Sequence, residues 1–300
     1  IGLGIPAEPL FRSSINLDVQ EEINNKLDAM VEDGTLQEII TTYIQSNVTW
    51  TFDTVADMKL ATNLVDGSFA RTLGFHSIND GGGSTYKITN TGTANEKDII
   101  AIGSLNAHFV QYGEIKPEQL GAYGDNTHDD SVVLNYMLNN YNQIILTKTY
   151  RITDQLVIKS NTVIDGLNKA TIFHIPEEIE KKYVFYLNDV SNIIIKNLTV
   201  TSTNTYDSLP GSDHPNWNGS QSSNLVAFFN YKVHNITIEN IDSSNMYTEV
   251  YINSNISDEN DNIVVKNYKS RGCVSAPIYS GFSKNVKIIN FDCIASELPI

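Results

Sequence analysis

Asn192-Ile-Ile-Ile-Lys-Asn197, Asn235-Ile-Thr-Ile-Glu-Asn240, Asn262-Ile-Val-Val-Lys-Asn267 and Asn285-Val-Lys-Ile-Ile-Asn290 are four versions of one phrase, and a looser fifth, Asn161-Thr-Val-Ile-Asp-Gly166, precedes them. Their first asparagines are 31, 43, 27 and 23 residues apart. Self-similarity at such a period describes a solenoid, whose units bury their apolar face only by stacking on neighbours. Apolar residues alternate inside each phrase, so the unit is a strand. Asparagine at both ends suits tight corners, because it accepts left-handed backbone and bonds to nearby main chain. The repeat predicts a mainly β chain built around a right-handed parallel β-helix, with the uneven spacings as insertions at corners.

Aligning the phrases predicts columns. Ile193, Ile236, Ile263 and Val286 point inward, as do Ile195, Ile238, Val265 and Ile288, and then Leu198, Ile241, Tyr268 and Phe291. Outward columns run Lys196, Glu239, Lys266 and Thr199, Asp242, Lys269, Asp292. Rungs lie about 4.8 Å apart, so opposite charges meet up the wall, and Glu239 and Asp242 read as ladder partners. The second asparagines, Asn197, Asn240, Asn267 and Asn290, are expected as inward corner residues forming an amide ladder. Ile194, Val264 and Ile289 are read as one outward apolar column.

The 300 residues carry 35 acidic and 20 basic side chains, a net charge of −15. No basic cluster interrupts this, which argues against nucleic acid and anionic membranes. No apolar run approaches the ~20 residues of a membrane span. Cys273 and Cys293 read as free thiols with no metal-binding spacing. The chain stops at Ile300 just after a rung, where an open solenoid end would expose strand edges. The natural protein is therefore expected to continue.

Residues 1–17 read as irregular, with Pro6 and Pro9 as breakers. Asp18-Val-Gln-Glu21 has the form of a capping box, and Val19, Ile23, Leu27 and Met30 make a narrow stripe behind it. Asp33-Gly34 closes that helix, and a second follows from Thr35 with Leu36, Ile39, Ile40, Tyr43 and Ile44. So narrow a stripe suits a helix packed against copies of itself, the alternative being two helices lying on their own domain. Trp50-Thr-Phe52, Tyr86-Lys-Ile88, Ile99-Ile-Ala-Ile102 and Phe109-Val-Gln-Tyr112 read as short strands of a small β domain. Gly81-Gly-Gly83 lies before a strand and not before a helix, so it is no phosphate cradle. Ser131 to Asn139 forms a capping helix with Val132, Val133, Tyr136 and Met137 on one face. The division is 1–46 leader, 47–113 small β domain, 114–143 connector and cap, and 144–300 β-helix.

Gly121-Ala-Tyr-Gly-Asp125 with Asp129-Asp130-Ser131, then Ile145 to Ile152 and Ser160 to Gly166, resembles the opening of the pectate-lyase-like β-helix family. Asn126 stands where that family usually has glycine, a mild departure because asparagine also accepts left-handed backbone. Phe52 to Met58, Thr72 to Gly83 and Tyr86 to Ile88 are similar to the small domain before the β-helix in bacteriophage tail spikes and pre-neck appendages. Val19 to Ile44 is similar to their helical leader. The resemblance implies a homotrimer on the virion that binds host-surface glycans, attached through residues 1–46 to other tail or connector proteins, and many members cleave what they bind.

The acids of Asp125, Asp129 and Asp130 could gather a metal, but their place in a turn before a helix favours capping. Asp258-Glu-Asn-Asp261 lacks the regular ligand spacing of a calcium loop. No metal and no cofactor are expected. The strands preceding the phrases carry Tyr186, Phe229, Tyr251 and Tyr279 at aligned outward positions, suited to sugar rings or to a neighbouring subunit. The largest insertion, Thr201 to Ser223, adds Tyr206, Asp213, His214 and Trp217. Glu249, two residues before Tyr251, shares its column with the uncharged Val184, Ala227 and Pro277. No ladder explains it, and it is either an exposed acid at a strand end or one with a raised pKa. Glu249 and Asp213 together could flank a sugar as hydrolysis requires, with Trp217 and the four outward rings holding the glycan. The expected function is adsorption to a host polysaccharide from the virion tail. The rivals are a dedicated depolymerase, hydrolase rather than lyase, and a free polysaccharide-degrading enzyme that would leave the leader and small domain unexplained.

Overall fold

The computed structural model describes residues 8–175, 183–202, 226–255, 259–273 and 277–295. Two helices come first, α1 (Glu8–Glu32) and α2 (Thr35–Asn47). The first helix starts well before Asp18. Pro9 falls in its opening turn, where a missing N–H is harmless, and so does not break the chain. Gly34 turns between the helices at φ 81°, and the Asp33 carboxylate accepts the Thr35 N–H at 2.8 Å. Val19, Ile23, Leu27 and Val31 remain 43–61% exposed.

Five strands follow as one sheet: β1 (Thr49–Phe52), β2 (Phe69–Thr72), β3 (Thr85–Thr89), β4 (Ile99–Ile102) and β5 (Leu105–Phe109), in the order β1-β2-β3-β5-β4. A short helix, α3 (Val55–Lys59), is held by a capping box between Thr54 and Asp57 and buries Val55 and Met58 on the sheet. Two strand readings shift. Phe69–Thr72 is a strand that its polar residues concealed, and the last strand ends at Phe109 and does not begin there.

A 3-10 turn (Pro117–Leu120), β6 (Asp125–Asp129) and α4 (Ser131–Asn140) connect this unit to the solenoid. The buried face of α4 is Leu134, Met137 and Leu138, while Val132 is exposed. The helix is therefore rotated from its expected facing, because Ser131 is drawn inward: its Oγ accepts the Thr153 N–H at 2.9 Å.

The solenoid comprises β7 (Gln143–Ile145), β8 (Thr149–Ile152), β9 (Leu156–Val157), β10 (Val163–His174), β11 (Tyr183–Asn188), β12 (Ser191–Thr201), β13 (Val226–Tyr231), β14 (His234–Ser244), β15 (Thr248–Asn253), β16 (Asn260–Cys273), β17 (Ile278–Ser280) and β18 (Ser283–Ala295). All its pairings are parallel: β18-β16-β14-β12-β10-β8-β6 on one path and β17-β15-β13-β11-β9 on the other. The architecture is a parallel β-helix. The long strands β12, β14, β16 and β18 bend at their second asparagine, giving a first face (Ile193–Lys196 and its equivalents) and a second (Leu198–Thr201). The β9–β17 path is the third face.

The bends have a local cause. Asn192, Asn197, Asn235, Asn240, Asn262, Asn267, Asn285 and Asn290 all have φ between 52° and 60°, a region other L-residues avoid. In the loosest phrase the left-handed residues are Leu167 and Asn168, at φ 51° and 56°, and Gly166 before them makes room for the next rung, since a Cβ there would lie 2.4 Å from the Asn197 carbonyl oxygen. The amides stack as predicted: Asn240 donates to Asn197 at 2.8 Å, Asn267 to Asn240 at 3.0 Å and Asn290 to Asn267 at 3.0 Å. They are not inward, however. Asn240, Asn267 and Asn290 are exposed, because a left-handed residue at a convex corner turns its side chain away from the lumen. The first asparagines form a second exposed ladder, from Asn192 on Asn161 at 2.9 Å to Asn262 on Asn235 at 2.8 Å.

The inward columns hold from β12 to β16: Ile193, Ile195, Ile236, Ile238, Ile263 and Val265 are fully buried, and Tyr268 stacks on Phe291 at 5.0 Å. Ile288, which pairs with Val265 on the last described rung, is 47% exposed. Outside, Lys196 meets Asp165 at 3.1 Å and Lys266 meets Glu239 at 3.0 Å. One outward column needs correction: Val264 pairs with Lys287, and Ile289 stands beside Lys266. Ile194 and Val264 therefore do not share a column with Ile289.

Candidate functional site

The third face carries the outward rings. Tyr186 lies 5.2 Å from Phe229 with planes 5° apart, Phe229 lies 5.5 Å from Tyr251 at 7°, and Tyr251 lies 4.8 Å from Tyr279 at 10°. Parallel strands in register force this ladder, since each ring sits one rung above the last. Sequence alignment missed Tyr183, which stacks on Phe229 at 4.3 Å and on Tyr186 at 5.6 Å; its three-residue spacing from Tyr186 was the available signal. The geometry has a chemical consequence. Nearly parallel rings at rung spacing cover one another's faces and turn edges and hydroxyls outward. Phe229 and Tyr251, with a ring on each side, have no open face on which a sugar could stack.

Glu249 departs from its expected position. It is fully buried inside the solenoid, although it shares strand parity with outward Tyr251. Thr248, Glu249 and Val250 are buried in succession, because β15 is leaving a corner there and has not yet settled into alternation. The carboxylate accepts from Ser243 Oγ at 2.5 Å, Ser270 Oγ at 2.6 Å and Tyr268 OH at 2.9 Å. Burial pushes its carboxyl above the ordinary range, and the three hydroxyls pull it partly back. Such a group binds the core together and cannot reach a glycan, so this geometry gives no support to acid catalysis by Glu249. The signal was present in the sequence: the inward column Ile172, Val200 switches to Ser243, Ser270 and Cys293 on the rungs beside Glu249. Asp213 and Trp217 lie outside the described residues, as does most of their insertion.

The Asp125–Ser131 loop uses its acids on backbone. Asp125 accepts the N–H group of His128 and that of Thr127, which with the His128 ring hold its carboxyl well below the usual range. Asp129 accepts the Ser131 N–H at 3.0 Å, and Asp130 those of Tyr123 and Gly124 at 2.8 and 2.9 Å. Among the described residues no group of three or more metal-ligating side chains is gathered. The glycine triplet has a structural task. A Cβ on Gly82 would lie 2.4 Å from the Glu118 carbonyl oxygen, so glycine lets the small β domain close on the connector. Lys148 Nζ bonds the Asp80 carbonyl at 2.5 Å across the same junction, and Tyr123 stacks between His76 and His128 at 3.9 and 3.8 Å. Elsewhere in the lumen, burial holds His174 neutral, with its pKa down at about 4.

No protein-family model matches the sequence, and no curated protein sequence matches it. Solved structures do. The tailspike protein gp49 of Acinetobacter baumannii bacteriophage Fri1, a capsular polysaccharide depolymerase, is similar with a TM-score of 0.58 and 16% identity, over 81% of this chain and 46% of that one. The enzymatically active domain of bacteriophage CBA120 tailspike protein 2 gives a TM-score of 0.47 and 16% identity, over 80% and 45%. PfbA, a surface adhesin of Streptococcus pneumoniae, gives 0.45 and 18%, over 59% and 49%. The chain spans less than half the length of each.

Proposed function

We propose that this chain is the subunit of a homotrimeric bacteriophage tail spike or appendage, which adsorbs the virion to a polysaccharide on the host surface. The observation that carries the reading is the similarity in course to the Fri1 tailspike over 81% of the chain, more than the β-helix alone supplies. In this reading residues 1–46 attach to other tail proteins, and the exposed apolar stripes of α1 and α2 supply the contact surface there and between subunits. The β-helix faces the host. The aromatic ladder, with its ring edges outward, fits packing against a neighbouring subunit, and the hydroxyls of Tyr186 and Tyr279 are the polar groups it offers to a partner or a glycan. The net charge of −15 favours a neutral glycan over an acidic one. Purified protein is tested against a panel of immobilised bacterial surface polysaccharides, with reducing ends assayed on the same samples. Binding without release describes an adhesin, and binding with release a depolymerase. Failure to bind any member of a panel that includes the host's own polysaccharide overturns the proposal.

A further inference from the structure

The first face carries a groove of about 330 Å³ that the aromatic reading leaves unused. Asn161, Asn192, Asn235 and Asn262 form one side of it, and Val163, Ile194, Thr237 and Val264 form its floor. Each floor residue pairs in register with the next, so the groove runs along the solenoid axis. All four amides are exposed. An asparagine side chain offers two N–H donors and two acceptor sites. The ladder between neighbours uses one donor and one acceptor of each inner residue, which leaves a donor and an acceptor at every rung. The lining itself carries no charge, and the adjacent acids of Asp165 and Glu239 are paired with Lys196 and Lys266.

We propose that this groove is a binding track for an extended neutral polysaccharide lying parallel to the solenoid axis, one sugar to a rung. The inference rests on the reading of the chain as a glycan-binding protein and gives that reading a site. Its chemistry matches a pyranose: an apolar face for a floor that is apolar except for the Thr237 hydroxyl, and hydroxyls along the edge for the leftover amide groups. The spacing matches as well, because rungs about 4.8 Å apart advance nearly as one pyranose does along an extended chain. Phe229 and Tyr251, with both faces covered, offer no comparable surface.

The test takes the polysaccharide that wild-type protein retains from a panel of neutral and acidic bacterial surface glycans. Thr237→Arg fills the floor, and Asn235→Gly removes an amide while keeping the left-handed corner (φ 58°). Each variant should weaken binding at least about tenfold with little change in melting temperature for Thr237→Arg. Affinity for oligosaccharides cut from the same polymer should rise up to about four sugars, the number of rungs bordering the groove, and should survive a several-fold rise in ionic strength. Wild-type binding with both variants unaffected overturns the groove alone and leaves the broader proposal intact. No binding by wild type overturns the broader proposal. Loss of binding that accompanies dissociation in sedimentation makes the groove a subunit contact and overturns the assignment, as does retention of acidic polymers only, with a steep fall in salt.

Discussion

Asn240 is the residue at which the solenoid's corner can be taken apart. Its Nδ2 donates to Asn197 at 2.8 Å, its Oδ1 accepts from Asn267 at 3.0 Å, and its backbone sits at φ 53°. Asn240→Leu removes both amide bonds, each about 0.5–1.5 kcal/mol net, and forces a residue with an ordinary Cβ into left-handed backbone at about 1–2 kcal/mol. The sum is about 2–5 kcal/mol. The lower half of that range is expected, because the side chain is exposed and water replaces part of the bonding. Asn240→Gly keeps the backbone and loses only the amides, about 1–3 kcal/mol. Asn290 donates at the last described rung of the same ladder at 3.0 Å, so Asn290→Gly should cost about half as much as Asn240→Gly. Urea unfolding followed by circular dichroism reads these as shifts in midpoint. A glycine variant as stable as wild type would refute a stabilising ladder. A leucine variant no worse than the glycine variant would refute the backbone part of the reasoning.

Glu249→Gln probes the buried carboxyl. Because its folded pKa is raised, its contribution is fully present below the unfolded value of about 4 and is lost as pH rises through the folded value. Wild type should therefore lose stability against Glu249→Gln as pH climbs through that window, and parallel stability–pH curves would count against it. Gly82→Ala places a Cβ 2.4 Å from the Glu118 carbonyl oxygen and 2.6 Å from Phe75 Cβ. It should cost about 1–3 kcal/mol and speed proteolysis in the Asp80 loop, whereas unchanged digestion would show the junction to be slack. Sedimentation equilibrium of the intact chain should give a trimer at micromolar concentration, and a clean monomer would remove the subunit arrangement proposed above.

The repeat was legible because every rung imposes the same local demand. Alternation of isoleucine and valine sets which residues enter the lumen, and asparagine marks where left-handed backbone is needed, so columns such as Ile193, Ile236 and Ile263 can be aligned without coordinates. The ion pairs on the outer wall followed from the same alignment. Positions beside a corner were not legible in this way. Glu249 has the parity of Tyr251 yet points into the core, and Asn240 ladders on the outside and not within. Parity describes a straight strand, and at a bend the direction of a side chain depends on how the whole turn is placed against its neighbours. The facing of α4 was decided in the same manner, by the bond Ser131 makes with Thr153 on the first rungs. Sequence by itself determined the period, the strand type and the register of the repeated phrases, because each copy carries the same alternation between the same asparagines. Tertiary structure decided which groups meet across rungs. Three hydroxyls on one carboxylate, or four amides beside a floor of Val163, Ile194, Thr237 and Val264, come together only when units remote in sequence are stacked.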